Sequence, residues 1–189
     1  MALTASPFGF LLRKHPDGQS RANAYTIASG YAADIGYGDA VTLDTTGVLV
    51  IGVPTADLIG VFAGVQYTDA SGKPTFSKRW PANTVATEIV AWVYDDPENV
   101  YEVQVEAGGT GYLQAAIGAQ ADLVPGVPNA LTGHSTMALE ATIEAAGAQG
   151  QFRIIAFDDN GFYNATTNPF PQVLVEIAQH QYVANKVAI

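Results

Sequence analysis

Three carboxylates crowd one short turn of this chain and are its first candidate for chemistry. Asp95, Asp96 and Glu98 surround Pro97. Such a group could act as an acid–base pair, or it could bind a hard cation through its oxygens. Adjacent carboxylates on a turn usually spread into water, however, and no residue elsewhere in the sequence supplies a partner for catalysis. We therefore interpret residues 95–98 as a solvated acidic turn.

The three histidines give no stronger candidate. His15, His134 and His180 lack a His-x-x-x-His spacing, and the chain has no cysteine, so no metal site is predicted. His134 precedes Ser135, which could suggest a base and a nucleophile. Residues adjacent in the chain seldom face each other, though, the Gly-x-Ser-x-Gly motif is absent, and no acid is placed to orient the imidazole. A hydrolase centre is not predicted either.

Two polar loops resemble binding loops only in part. Residues 158–161, Asp-Asp-Asn-Gly, lack the spacing and the closing glutamate of a calcium loop. Residues 108–111, Gly-Gly-Thr-Gly, contain no lysine and precede no predicted helix, so they do not form a phosphate cradle. No catalytic residue, cofactor or metal ligand is therefore predicted, and we do not expect an enzyme.

The composition of the chain limits the classes of partner that it is expected to bind. The 189 residues include 18 acidic and 8 basic ones, for a formal net charge of −10. Except for the pairs Arg13-Lys14 and Lys78-Arg79, the basic residues are scattered along the sequence. This distribution disfavours nucleic-acid binding, because phosphates require clustered cations. The apolar runs are too short to span a membrane. Only 14% of the residues are charged, against about 25% in an average domain. This predicts a surface covered by neighbours or, alternatively, a neutral polar surface.

The acidic turn lies between two predicted strands that would form a β-hairpin over residues 85–105. The first strand, 89–94, is apolar on both faces, so it is either central in a closed barrel or covered by a partner. The second strand, 101–106, alternates apolar residues with Glu and Gln. We expect one of its faces to be buried and the other to be wet.

The remaining pattern predicts an all-β, mainly antiparallel fold, as a β-barrel or sandwich. Residues 1–25 are interpreted as an extended N-terminal arm, docked on its own domain or on a neighbouring subunit. Residues 26–189 are interpreted as a single β-rich domain with a loop-rich lobe at about 106–150. Residues 74–81 are assigned to a connection, and the last long strand to 173–182. Gly60 and Gly64 are expected to mark a bend or a close approach within a strand.

Several segments carry a family likeness in their order along the chain. They are Gly60–Tyr67, Lys78–Pro81, Val93–Pro97, Tyr101–Gln104, Gly118–Val124, Thr132–Glu140, Gln151–Ile154 and His180–Tyr182. Together they resemble the capsid-associated structural proteins of tailed bacteriophages, over about residues 25–182. The resemblance implies a non-enzymatic virion component, commonly a head decoration or cement protein, that binds the outside of an assembled head.

On this basis we expect a head decoration subunit that is made in the host cytoplasm, lies on the outer capsid surface and stabilises the shell. The expected partners are the major capsid protein and further copies of the chain in a homotrimer, with no nucleic acid and no membrane. The alternatives are a glycan- or receptor-binding module of a fibre or tail, and a minor or major capsid component. The candidate subunit or capsid interface comprises Phe8, Phe10, Leu11, Leu12, Trp80, Trp92, Tyr94 and Tyr101. Aromatic residues such as Trp80, Trp92, Tyr94 and Tyr101 more often form core or interface anchors than line a glycan groove.

Overall fold

The computed structural model describes residues 5–108, 114–145, 147–157 and 169–186. The predicted turn at 158–161 and most of the glycine loop at 108–111 lie outside these residues. The strands are β1 (Leu11–Lys14), β2 (Ala22–Tyr25), β3 (Ile35–Gly36), β4 (Ala40–Leu43), β5 (Leu49–Ile51), β6 (Gly60–Asp69), β7 (Pro74–Ser77), β8 (Arg79–Trp80), β9 (Ala86–Tyr94), β10 (Val100–Gln104), β11 (Gln120–Ala121), β12 (Leu123–Val124), β13 (Ala138–Leu139), β14 (Phe152–Phe157) and β15 (Gln172–Ile177). A single 3-10 turn is described, at Gln114–Ala116.

Two antiparallel sheets form the body of the protein. The first sheet has the strand order β1-β10-β15-β14-β11. The second has the order β2-β9-β6-β4-β5, with β7 pairing along the distal half of β6. Two short pairs, β3-β8 and β12-β13, lie beside them. The fold is therefore all-β and sandwich-like, and within the described residues no sheet closes into a barrel.

Two apolar clusters show how the layers are arranged. One joins the two sheets, since it includes Val61 of β6 together with Tyr101 and Val175 of the first sheet. The other involves the opposite face of the second sheet, where β9 and β6 pack with Ile35 and Trp80 of the β3-β8 pair. The second sheet thus buries apolar side chains on both faces without a closed barrel, with Ala91 and Val93 on one face and Tyr94 on the other, whereas Trp92 stays 40% exposed.

Strand β6 changes face at a bulge. Its pairing with β9 shifts between Phe62 and Gly64, and Gly64 has a φ of 138°, a conformation that side-chain-bearing residues rarely adopt. Gly60 lies so close to β9 that a Cβ built there would be 2.2 Å from the carbonyl oxygen of Tyr94. The prediction of a bend or close approach at these two glycines is confirmed.

The predicted hairpin over 85–105 is wrong. β9 pairs with β2 and β6 in the second sheet, whereas β10 pairs with β1 and β15 in the first. The acidic turn therefore carries the chain from one sheet to the other. Alternation identified both strands, but it contains no information on which distant strands would pair with each.

The expected wet face of β10 is also wrong. Glu102 is 2% exposed and Gln104 is 7% exposed. Glu102 forms an ion pair with Arg13 of the neighbouring strand β1, and the Gln104 side-chain oxygen accepts a hydrogen bond from the Ser6 amide at 2.9 Å. Polar groups can be buried here because the first residues of the chain satisfy them.

Residues 5–25 are more ordered than a loop-like arm. They add an edge strand to each sheet, β1 beside β10 and β2 beside β9. Phe10 is 1% exposed and stacks on Phe152 with ring centroids 4.2 Å apart. The final strand ends earlier than predicted, at Ile177, and His180 beyond it makes an isolated bridge to Leu58.

Candidate functional site

Three adjoining surface depressions share one residue, Lys78. The first, of about 310 Å³, is formed mainly by Phe76, Trp92 and Gly64. The second, of about 430 Å³, is lined by Leu11, Leu12, Arg13, Tyr37, Lys78 and His134. The third, of about 380 Å³, extends from Phe76 and Arg79 to Ala130–Gly133. We call the residues that line these three depressions the Lys78 face.

Large apolar side chains are exposed to solvent on this face. Leu131 is 98% exposed, Phe76 75% and Trp92 40%. Phe76 is presented by β7, whose exposed and half-buried residues alternate. Trp92 lies on the face of β9 that carries Tyr94, but Tyr94 is half-buried against the core between the sheets and Trp92 is not. A cluster of this kind is typical of a protein–protein contact.

The loop that carries Leu131 is held in one shape. The Asn129 side chain accepts a hydrogen bond from the Leu131 amide at 2.9 Å, and the amides of Asn129 and Gly133 bond the carbonyls of His134 and Asn129, both at 2.8 Å. Tyr37 connects this loop to β3, because its amide donates to the Gly133 carbonyl and its carbonyl accepts from the Ser135 amide. Leu131 is therefore exposed on an ordered turn.

The charge of this face is opposite to that of the chain. Its described lining residues include three of the eight basic residues and no Asp or Glu. Arg13 and Arg79 are paired with Glu102 and Asp34. Lys78 is different: its ammonium nitrogen lies 3.3 Å from His134 Nε2 and 5.7 Å from the centre of the Tyr37 ring. Among the described residues, no carboxylate lies within ion-pair distance of Lys78.

The interface residues expected from the sequence separate into two groups. Trp80 and Tyr101 are fully buried in this chain, as is Phe10, so the prediction that these three contact a partner is corrected: they form core. Leu11, Leu12 and Trp92 line the Lys78 face, whereas Phe8 and Tyr94 are half-buried and do not. This result narrows the candidate surface to three of the eight residues.

Sequence reasoning missed Phe76, Lys78 and Leu131. The prediction of a connection over residues 74–81 is wrong, because this segment forms β7 and β8. A β-branched and an aromatic residue follow Pro74, which is compatible with a short edge strand and was the available signal. Leu131 lies within the lobe predicted to be loop-rich, where no periodicity marks which apolar residue will be exposed.

The acidic turn is a junction inside the protein. Asp95 is 8% exposed, and its carboxylate accepts hydrogen bonds from Asn23 Nδ2 at 2.8 Å and from the Tyr25 hydroxyl at 2.5 Å. His180 Nε2 contacts the Asp95 carbonyl at 3.0 Å. Burial, together with the bond to Asp95, raises the pKa of Tyr25. The expectation of a solvated turn is therefore wrong for Asp95. This residue instead connects β2, and the residues after β15, to the crossing between the two sheets.

The outer side of the same turn holds a small cluster of possible metal ligands. Donor atoms of His15, Asp96 and Glu98 lie within 4.8 Å of one another. His15 Nδ1 accepts a hydrogen bond from the Asp17 amide at 3.2 Å, so a neutral His15 carries its proton on Nε2, the nitrogen that faces Asp96. A hydrogen bond from the Glu98 amide lowers the pKa of Asp96, and the nearby His15 side chain lowers it further. This arrangement favours a hydrogen-bonded turn over a metal centre.

His134 and Ser135 have different surroundings. His134 contacts Lys78 and the edge of the Tyr37 ring. Ser135 is 2% exposed, and its hydroxyl oxygen accepts a hydrogen bond from the Met137 amide at 2.9 Å. The two side chains are therefore not arranged as a base and its nucleophile.

Comparisons with protein-family models, curated proteins and solved structures give no match to this chain. None of the described residues forms a helix of the length and apolarity that crossing a membrane requires. The Lys78 face is consequently the feature on which a function can best be argued.

Proposed function

We propose that this chain is a head decoration subunit of a tailed bacteriophage, which binds the outer surface of the assembled head through the Lys78 face and stabilises the shell. The observation that carries the proposal is the exposed apolar cluster of Phe76, Trp92 and Leu131. Covering such side chains contributes roughly 25 cal/mol for each Å² of apolar surface removed from water. A partner protein gains this stabilisation without any change in the fold.

The rest of the chain suits an exposed position on a virion. With 18 acidic and 8 basic residues, its net negative charge limits non-specific association with DNA and keeps the outer surface soluble. The partner is the major capsid protein, and the subunit acts as a homotrimer. Three linked copies of one weak contact bind at a high effective concentration, so a modest Lys78 face is sufficient for stable attachment.

The test uses purified protein and empty heads of the phage that encodes it. We expect the protein to sediment with the heads, and cryo-EM of the mixture to show added density at repeated positions on the outer surface. Absence of binding, together with absence of the chain from purified virions, would overturn the proposal. Density within the shell lattice itself would instead favour a minor or major capsid component.

A second candidate is a glycan- or receptor-binding module of a fibre or tail. The observation that favours it is the exposed Trp92, which lies beside Phe76 in a shallow depression and could stack on a sugar ring. Glycan-array binding that disappears in Trp92→Ala would support this candidate. Binding to heads that is unaffected by those same glycans would support decoration.

A further inference from the structure

We infer that the Lys78 face binds an acidic protein surface, one with an apolar centre to cover Phe76, Trp92 and Leu131 and a carboxylate opposite Lys78. The inference rests on the proposed function for the identity of the partner, which is the shell protein. It adds the chemistry by which that partner is recognised.

The charges on the Lys78 face favour an acidic partner. On a chain of net charge −10, the described lining of the Lys78 face has cations and no carboxylate. Covering Lys78 removes water from an ammonium group that has no carboxylate within ion-pair distance among the described residues. Burial of an unpaired charge is costly, so a stable contact requires the partner to supply the negative group. A basic or neutral partner surface would lack it.

The manner of contact follows from β7. This strand has four residues and begins with Pro74, and it is flanked by Lys73 and Lys78. Short length, proline and lysine are the features by which proteins prevent another strand from adding to a sheet edge. The partner therefore meets Phe76 and its neighbours through side chains on a folded surface and does not extend the sheet.

A second copy of the chain, placed face to face, is a poorer occupant. Symmetric contact would bring two Lys78 faces together, with like charges opposed and no described carboxylate in either lining. The shell protein carries no such restriction. Because the Leu131 loop is already ordered by Asn129, binding costs little conformational entropy on this side.

A zero-length carbodiimide cross-linker tests the pairing directly, since it joins an amine to a carboxylate only when the two are in contact. Purified protein bound to empty heads is treated, digested and examined by mass spectrometry. We expect a cross-link between Lys78 and an Asp or Glu of the shell protein. Lys78→Arg should keep binding and lose this cross-link. A cross-link from Lys78 to another copy of this chain, or none from Lys78 when other lysines react with the shell, would overturn the inference.

Charge reversal supplies the second measurement. Lys78→Glu is expected to weaken head binding by about tenfold or more, because it places like charges in contact. Lys73→Glu is the matched control: it makes the same change at the other end of β7, outside the three depressions, and should leave affinity within about twofold. If wild-type protein does not bind heads, the proposed function fails. If wild-type protein and Lys78→Glu bind heads equally well, the inference of an acidic partner surface is wrong, but the proposed function is not contradicted.

Discussion

The acidic turn at 95–98 and the Lys78 face differ in opposite directions from what their residue types suggest. The turn contains carboxylates of the kind that do chemistry, yet Asp95 is buried and satisfied by Asn23 and Tyr25. The Lys78 face contains a short segment assigned to a connection, yet it presents apolar side chains to water. Exposed apolar side chains in this protein therefore lie where residue type and spacing do not predict them, whereas the conspicuous carboxylate of Asp95 serves to hold the fold together.

The two tryptophans give the largest expected contrast. Trp80 is fully buried beside Tyr67, with ring centroids 5.2 Å apart, whereas Trp92 is 40% exposed. Trp80→Ala should lower the free energy of unfolding by about 3–5 kcal/mol, because it leaves a cavity. Trp92→Ala should lower it by about 1 kcal/mol or less and should reduce head binding. Urea unfolding and co-sedimentation measure the two effects. Equal losses of stability would remove the distinction between core and contact surface.

The junction at the acidic turn is expected to be the next most sensitive. Asp95→Ala should lower the free energy of unfolding by about 2–3 kcal/mol, because it leaves the Asn23 and Tyr25 side chains without their shared acceptor. Glu98→Ala, three residues away and exposed, should change it by less than about 0.5 kcal/mol. Thermal and urea unfolding of the two variants would show whether Asp95 acts from inside the fold. An Asp95→Ala protein as stable as Glu98→Ala would refute the assignment of a junction.

Asp39 is buried, and its carboxylate interacts with Gly36 and Ser135, the chain neighbours of Tyr37 and His134 on the Lys78 face. Burial raises the pKa of Asp39 to about 6, although hydrogen bonds from Ser135 and the Gly36 amide oppose the shift. A raised folded-state pKa means that the contribution of this group to stability is full below its unfolded-state value and is lost as pH rises through about 6. The expected loss is on the order of 2 kcal/mol.

Asp39→Asn is the matched variant for that measurement, since it cannot ionise. The difference in free energy of unfolding between wild type and variant, taken at pH 4 and pH 7.5, isolates Asp39 from the other carboxyl groups. We expect the variant to gain relative stability as pH rises. A difference that stays constant across this range would show that Asp39 does not titrate in the folded protein.

The smallest effects on stability belong to the apolar anchors of the Lys78 face. Phe76→Ser and Leu131→Ser should change the free energy of unfolding by less than about 0.5 kcal/mol, because neither side chain is packed. Both should weaken head binding while they improve solubility. Val53→Ser is a suitable control, since Val53 is 51% exposed but lies outside the three depressions. Reduced head binding by Val53→Ser to the same degree would mean that the Lys78 face is not the attachment surface.

Much of the secondary structure could be predicted from local pattern. The run over 89–94 and the alternation over 101–106 correspond to β9 and β10, and the first part of the last predicted strand, 173–182, corresponds to β15. The two glycines of β6 were also identified, because a strand tolerates glycine mainly where the backbone bends or is approached closely. Of the candidate surface, Leu11, Leu12 and Trp92 were among the expected residues, whereas Phe76, Lys78 and Leu131 were not.

By itself, then, the sequence determined the all-β class, the position of several strands, the acidic surface and the scarcity of charge, because each depends on residue type or on alternation between neighbours. Only the tertiary structure decided that β9 and β10 lie in different sheets, that Asp95 and Glu102 are buried, and that Trp80 and Trp92 have opposite exposure. These properties depend on strands distant in the chain, such as β1 and β15 beside β10. Pairing between distant strands is selected by the packing of the whole core, which no local pattern contains.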